Sequence, residues 1–476
     1  MRKWSLALLV FAAGCKVGPD YVRPDVATPD AWHQELNGGL LQGTASLARW
    51  WTVLNDPVLE GLVARASTGN LDLQITLARI REARAGLRIA GGELFPDLDA
   101  TGTAERFRVT EEGPFPTPDP ERNDDTSIFE VGIDAVWEVD VWGRVRRSVE
   151  AAERDYRAAI EDQRDVRVTL YAELARNYVN LRTLQERLSI AQSNVATQQG
   201  SLDLTQSRLD MGLAPELHVR QAESNLATTQ STIPAFEQAI ATSINRIAIL
   251  LGEHPHRLNE ELSPQAQIPM PPEKVVVGIP SNFVRQRPDI RAAERRLAAQ
   301  TARIGVATAD LYPQFSLFGS IGWSAEEIGD LIGSSSRVWS IGPSFRWNLF
   351  DGGRVRGNIQ VQDARTEQLL KVYEKTVLLG LEEVENALVG YVKEQHRRDT
   401  LARAVAASKR AAELAREAYA AGLTDFQNVL DAERSMLDLE DSLAESRGRV
   451  VTNLVALYKA LGGGWQEAEG ELNNGN

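Results

Sequence analysis

The chain has 476 residues, a formal net charge of −14 and a single cysteine. One cysteine excludes a disulfide framework, a thiolate zinc site and an iron–sulfur cluster, and the acidic balance argues against nucleic acid as a partner. The five histidines (His33, His218, His254, His256, His396) are scattered, so no metal or other cofactor is expected and the chain does not read as an enzyme.

Arg2 and Lys3 precede a short apolar stretch, Trp4 to Ala13, and then Gly14 and Cys15. The stretch falls short of the roughly 20 residues that span a bilayer, so residues 1–14 read as a cleaved secretory signal. Cys15, the lone cysteine just past Ala-Ala-Gly, reads as a bacterial lipidation site; acyl chains there anchor at about 0.8 kcal/mol per buried CH₂. Ala12 stands where such sites usually carry Leu, which leaves ordinary cleavage and a free thiol as the alternative. Lys16, rather than Asp, follows the cysteine and favours the outer membrane. Residues 15–69 form the lipidated N-terminal segment, and no later run is apolar and long enough for a membrane helix. A crossing would therefore need strands closed into a barrel, since an open edge is unsatisfied in lipid.

From residue 70 the chain is two copies of one unit, residues 70–252 and 288–465. Gly143-Arg-Val-Arg146 matches Gly353-Arg-Val-Arg356 at an offset of 210. Met211-Gly-Leu213 matches Ala421-Gly-Leu423, Ala222-Glu223 matches Ala432-Glu433, and Leu251-Gly252 matches Leu461-Gly462 at that same offset. Glu93-Leu-Phe-Pro96 matches Asp310-Leu-Tyr-Pro313 at 217; the extra residues fall in a proline-rich loop, Glu111 to Asp125, which reads as solvent-facing.

Each copy predicts helix, two strands, very long helix, turn, helix. In the first, strands are expected over about 97–109 and 126–142, a long helix over 143–211 and a return helix over 215–251, which Pro234 should kink. In the second they fall at about 314–324, 337–350, 353–421 and 425–461. Phe129, Val131, Ile133, Ala135, Trp137, Val139 and Val141 alternate with mostly polar neighbours, as do Trp339, Ile341, Pro343, Phe345, Trp347 and Leu349. Trp137, Trp323, Trp339 and Trp347 are expected on the apolar side, as an aromatic girdle. Leu174, Leu181, Leu188, Val195, Leu202 and Leu209 recur every seven residues, which predicts a left-handed coiled coil. Gly212 and Gly422, each followed by leucine (Leu213, Leu423), suit the left-handed residue that ends a helix. Residues 253–287, with six prolines, read as an irregular connector, and residues 466–476 as a polar tail. Gly352-Gly353 reads as a strand-to-helix corner, not a nucleotide loop, and His-Glu-x-x-His is absent.

Cys15-Lys-Val-Gly-Pro-Asp-Tyr-Val-Arg-Pro24, the run Gly278 to Leu297 with its Val-Arg-Gln-Arg-Pro-Asp-Ile-Arg core, and Ala302-Arg-Ile-Gly-Val-Ala307 before Leu311-Tyr-Pro313 resemble the lipoprotein OprM/NodT branch of the TolC-like bacterial outer-membrane efflux channels. The resemblance covers about residues 15–465. It implies a mainly α fold with a β-barrel portion, in which four transmembrane strands per chain close a 12-stranded barrel above a 12-helix periplasmic tunnel in a homotrimer. It further implies the outer-membrane exit duct of a tripartite pump, with a periplasmic adaptor (membrane fusion) protein, an inner-membrane RND-type transporter and outer-membrane lipid as partners. A lipid-anchored coiled-coil scaffold and a type I protein-secretion channel are the alternatives. In related channels Asp residues ring the periplasmic aperture; carried over, one position is Asp431 and the other Asn428, with Asp425 a further acid nearby. The family's Tyr–Asp–Arg clasp maps to Tyr419, His218 and Thr424, so a charged latch of that kind is expected to be missing, and His218 is expected to be an exposed side chain.

Overall fold

The computed structural model describes residues 16–27, 29–35, 37–43, 47–108, 125–277 and 286–466. Cys15, nearly all of the Glu111–Asp125 loop, the start of the Gly278 motif and the tail from residue 467 lie outside the described residues. In chain order the elements are β1 (Leu40–Gln42), α1 (Pro57–Gly69), α2 (Leu71–Gly92), β2 (Asp97–Phe107), β3 (Thr126–Val139), α3 (Arg144–Asp210), α4 (Glu216–Leu251), α5 (Asn259–Leu262), β4 (Val275–Val277), α6 (Pro288–Ala309), β5 (Gln314–Ala325), β6 (Arg337–Arg346), α7 (Arg354–Ala420) and α8 (Phe426–Ala460). Contacts divide the chain into two compact units, one of Met1–Pro24, Ile80–Ala159 and Ala293–Tyr373, the other of Asp25–Arg79, Ile160–Ala292 and Glu374–Asn476. No described helix is long and apolar enough to cross a membrane.

The first unit holds an antiparallel sheet in the order β2-β3-β5-β6, so β3 and β5 join the two sequence repeats at its centre. Its register sorts the side chains by chemistry. Leu98 pairs with Ala135, Ile133 with Ile321, Ile321 with Trp339, and Trp137 with Leu317, all on one face. The opposite face is mostly polar, with Asp99 against Asp134, Glu130 against Ser324 and Ser320 against Ser340, and Val136 against Phe318 as an apolar exception. Within the described chain nothing covers the apolar face: Ile321 is 53% exposed, Ile341 69% and Trp339 71%.

The strands end earlier than the alternation suggests, β3 at Val139 and β6 at Arg346. Helix capping stops them. The Asp140 carboxylate accepts from the Val145 and Arg146 amides, and Asp351 accepts from Gly353 and Val355, so the chain has already turned into α3 and α7. Trp347 therefore lies beyond β6, and its indole donates to the Leu311 carbonyl at 3.1 Å. Trp137 makes the equivalent bond to the Leu94 carbonyl, also 3.1 Å, in the other repeat.

The second unit contains most of the buried core. Trp50 stacks on Tyr458 at 5.4 Å, Trp51 meets Tyr171 edge-on at 4.9 Å, and Leu59 and Leu62 are fully buried. Asp56 caps α1 through the Val58 and Leu59 amides and also accepts from the Tyr178 hydroxyl of α3 at 2.7 Å. Trp465 lies beneath two guanidiniums, Arg164 at 4.6 Å and Arg291 at 5.0 Å.

Two parts of this unit depart from the sequence reading. The proline-rich connector is not wholly irregular: its β4 pairs in parallel with β1 of the N-terminal segment, Leu40 against Val275. Three-residue strands joined across more than 200 positions leave no periodicity to read. The heptad stripe is the second departure. Leu174 and Leu181 are fully buried, but Leu188, Val195, Leu202 and Leu209 are only half-buried. The buried row in the lower part of α3 is polar instead: Asn194, Gln198, Ser201 and Thr205, at alternating steps of four and three. α4 runs on through Pro234 as one helix.

Candidate functional site

The two turns that end the long helices share one construction. After α3 the Leu213 amide donates to the Arg208 carbonyl at 2.7 Å and Gly212 to Leu209 at 2.8 Å; after α7, Leu423 donates to Ala418 at 2.8 Å and Gly422 to Tyr419 at 2.9 Å. This paired pattern requires a left-handed residue, and Gly212 (φ 73°) and Gly422 (φ 75°) supply it. Leu213 and Leu423 follow and point to solvent, 61% and 81% exposed.

Between the turns the structure brings together ends of four helices. Tyr419, on the last turn of α7, is 2% exposed and packs with Ala222 of α4 and Phe426, Val429 and Leu430 of α8. Its hydroxyl lies 3.2 Å from His218 Nδ1 on the first turn of α4. His218 Nε2 lies 3.7 Å from Asp425 Oδ1, and the His218 side chain is only 14% exposed. That corrects the expectation of an exposed histidine; the Tyr419 and Phe426 rings, at centroid distances of 5.9 and 5.6 Å, shelter it. Burial pushes the Tyr419 hydroxyl above its ordinary pKa, with Arg208 opposing and Asp425 adding to the shift.

Arg208 is the participant that the sequence did not mark. From the last turn of α3 it donates to the Tyr419 and Ala420 carbonyls at 2.9 and 3.0 Å, and its guanidinium lies 4.8 Å from the Tyr419 ring centroid. A cation on the last carbonyls of α7 satisfies orphan acceptors and meets the negative end of that helix. Its counterpart one repeat later is Ala418, an asymmetry that the aligned repeats do contain.

The acids and amides nearby are exposed. Asp425 caps α8 by accepting from the Gln427 amide at 2.9 Å, Asn428 donates to the Thr424 hydroxyl at 2.7 Å, and Gln427 donates to Asp431 at 2.9 Å. Deeper along the same helix pair, Glu433 is 1% exposed, accepts from the Ser201 hydroxyl and keeps one oxygen without a partner, as do both amide atoms of Gln198. Burial raises the Glu433 carboxyl above its ordinary pKa. Among the described residues no cluster of three His, Cys, Asp or Glu side chains could hold a metal ion.

The family described as "Outer membrane efflux protein" matches residues 62–253 and 279–463, one span on each sequence repeat. The chain belongs to the outer membrane efflux protein family. Among curated relatives it is 31% identical to "Toluene efflux pump outer membrane protein TtgF" of Pseudomonas putida, across 97% of this chain and 96% of that protein. It is 30% identical to "Nodulation protein T" of Rhizobium leguminosarum bv. trifolii, across 94% and 93%. Among solved structures, the outer-membrane channel OprN superposes with a TM-score of 0.89 at 38% identity, covering 95% of this chain and all of that one. Membership in this efflux family places the protein in the outer membrane, extending into the periplasm.

Proposed function

We propose that the chain is one third of a passive exit duct for a tripartite efflux pump, a homotrimer held at the membrane by lipid on Cys15. The observation that carries this reading is the sheet: four antiparallel strands, one exposed apolar face, one mostly polar face, and no pairing on the outer edges of β2 and β6 among the described residues. Open edges cannot persist in lipid. β2 and β6 run in opposite directions, so β6 of one copy can continue the antiparallel pattern onto β2 of the next. Three copies then close a 12-stranded barrel with Ile133, Ile321 and Ile341 toward acyl chains and the hydroxyls and carboxylates toward water. Trp323 and Trp339 would lie toward one rim of the apolar band, Trp137 and Trp347 toward the other.

Helices of 67 residues, α3 and α7, extend about 100 Å each and supply a periplasmic tunnel of twelve helices with their return partners. A solute moved by an RND-type transporter through a periplasmic adaptor needs such a water-filled path. The turns at Gly212 and Gly422 form the periplasmic tip. Asp431, Asn428 and Asp425 line its aperture, so three copies of Asp431 attract cations and disfavour anions.

Gel mobility and single-channel recording test the proposal together. The expected results are a heat-resistant trimer in gentle detergent and cation-selective conductance that loses selectivity in Asp431→Ala. A monomer without conductance overturns the duct; equal selectivity in both proteins overturns the aperture role of Asp431.

A further inference from the structure

We propose that His218 makes the tip latch acid-responsive, tightening the junction of α4, α7 and α8 when the periplasmic side is acidified. The inference rests on the reading of the tip as the aperture and assigns a regulation to it. The geometry supplies each part. His218 stands in the junction, with one ring nitrogen at the Tyr419 hydroxyl of α7 and the other 3.7 Å from the Asp425 carboxylate of α8. At 3.7 Å the second contact is too long for a hydrogen bond, and with a neutral ring it contributes little.

Imidazole is the side chain that ordinarily changes charge between about pH 5 and 8. On protonation both nitrogens carry hydrogen. Nδ1 then donates to the Tyr419 oxygen, whose own hydrogen turns away, and Nε2 acquires a charge facing Asp425. A charge-assisted pair draws that carboxylate in and ties the first turn of α4 to the residue that caps α8. The charged and titratable groups around the ring decide the sign. From α8 Asp425 attracts; from α7 Tyr419 accepts; from α3 Arg208 repels, though its guanidinium is already bound to the Tyr419 and Ala420 carbonyls. On its own helix Glu216, in the first turn, is paired with Arg220 at 2.9 Å, so its charge is already answered. The Asp425 carboxylate thus gives a charged ring a partner that a neutral ring lacks.

The test uses the full-length trimer in detergent, comparing amide hydrogen exchange of residues 416–431 at pH 5.5 and 8, corrected for intrinsic rates, in wild type, His218→Gln and Asp425→Asn. Glutamine keeps a hydrogen bond to Tyr419 but does not titrate. Wild type should gain about fivefold protection in acid, and both variants should lose that gain while keeping wild-type protection at pH 8. Equal acid protection in wild type and His218→Gln overturns the latch. Conductance on the same samples separates the two readings: a pore whose tip protection ignores pH sinks only the latch, whereas acid protection without any pore leaves the latch standing and sinks the duct.

Discussion

Gly18 and Gly305 meet backbone to backbone: a Cβ on Gly18 would lie 2.4 Å from the Gly305 Cα. Gly18 also holds φ at 84°, a conformation that side chains disfavour. The contact lets residues 16–20 lie against α6, and the fully buried Arg147 of α3 donates to the Val17 and Gly18 carbonyls at 3.1 Å each and pairs with Asp20 at 2.9 Å. Lys16 at the start of this strap pairs with Glu150, and the Val17 amide donates to the Trp142 carbonyl.

Alanine at either glycine should therefore release the strap. Gly18→Ala forces the backbone away from α6, and Gly305→Ala drives a methyl into the Arg147 side chain, 2.7 Å from its Nε. Each should cost about 1–3 kcal/mol locally. Limited proteolysis would read this as faster cleavage within residues 16–24; an unchanged rate would show that the strap tolerates the added carbon.

The two faces of the sheet should respond oppositely to the same charge. Ile321→Lys puts an ammonium on the apolar face and should cost about 2–4 kcal/mol if that face meets lipid, seen as loss of folded protein in outer-membrane fractions. Ser320→Lys, one residue earlier on the polar face, should be inserted normally. Similar levels for both variants would refute the face assignment.

Asp165 on α3 should make the helical unit more stable in acid. Burial, and then the neighbouring Asp289, push its carboxyl up to about 6 from an ordinary 3.8, against the attraction of Arg287 and Lys459. A carboxyl raised in the folded state gives stability that is fully present below its ordinary pKa and is lost as pH rises through about 6. Asp165→Asn removes the charge, so its melting temperature should exceed that of wild type at pH 8, by the equivalent of about 1–3 kcal/mol, and converge with it near pH 4. A constant difference across that range would mean that the carboxyl does not titrate there.

Much of the architecture is written in local pattern, because helix ends and strand faces obey short-range rules. Glycine after the last turn announces where α3 and α7 stop, and alternation from Phe129 onward sorts residues onto the face that pairs Val131 with Trp323. What sequence could not carry is the register of one long helix against another. Nothing local says that Arg208 reaches the end of α7, that Asn194 and Ser201 rather than Val195 and Leu202 are buried, or that Tyr419 and Phe426 enclose His218. The strands stop short of their alternation where Asp140 and Asp351 cap the helices that follow. Tertiary choices of that kind need the partner surface before they can be read.

The polar row on α3 sets how the contact with α8 responds to temperature. Parting two leucine-lined faces exposes hydrocarbon and carries a large heat-capacity change, so its free energy curves steeply as a cell warms or cools. Parting Gln198, Ser201 and Glu433 wets amide, hydroxyl and carboxylate, whose hydration acts on heat capacity with the opposite sign. A seam of this composition therefore carries a smaller heat-capacity change on opening than a leucine-lined one of equal area.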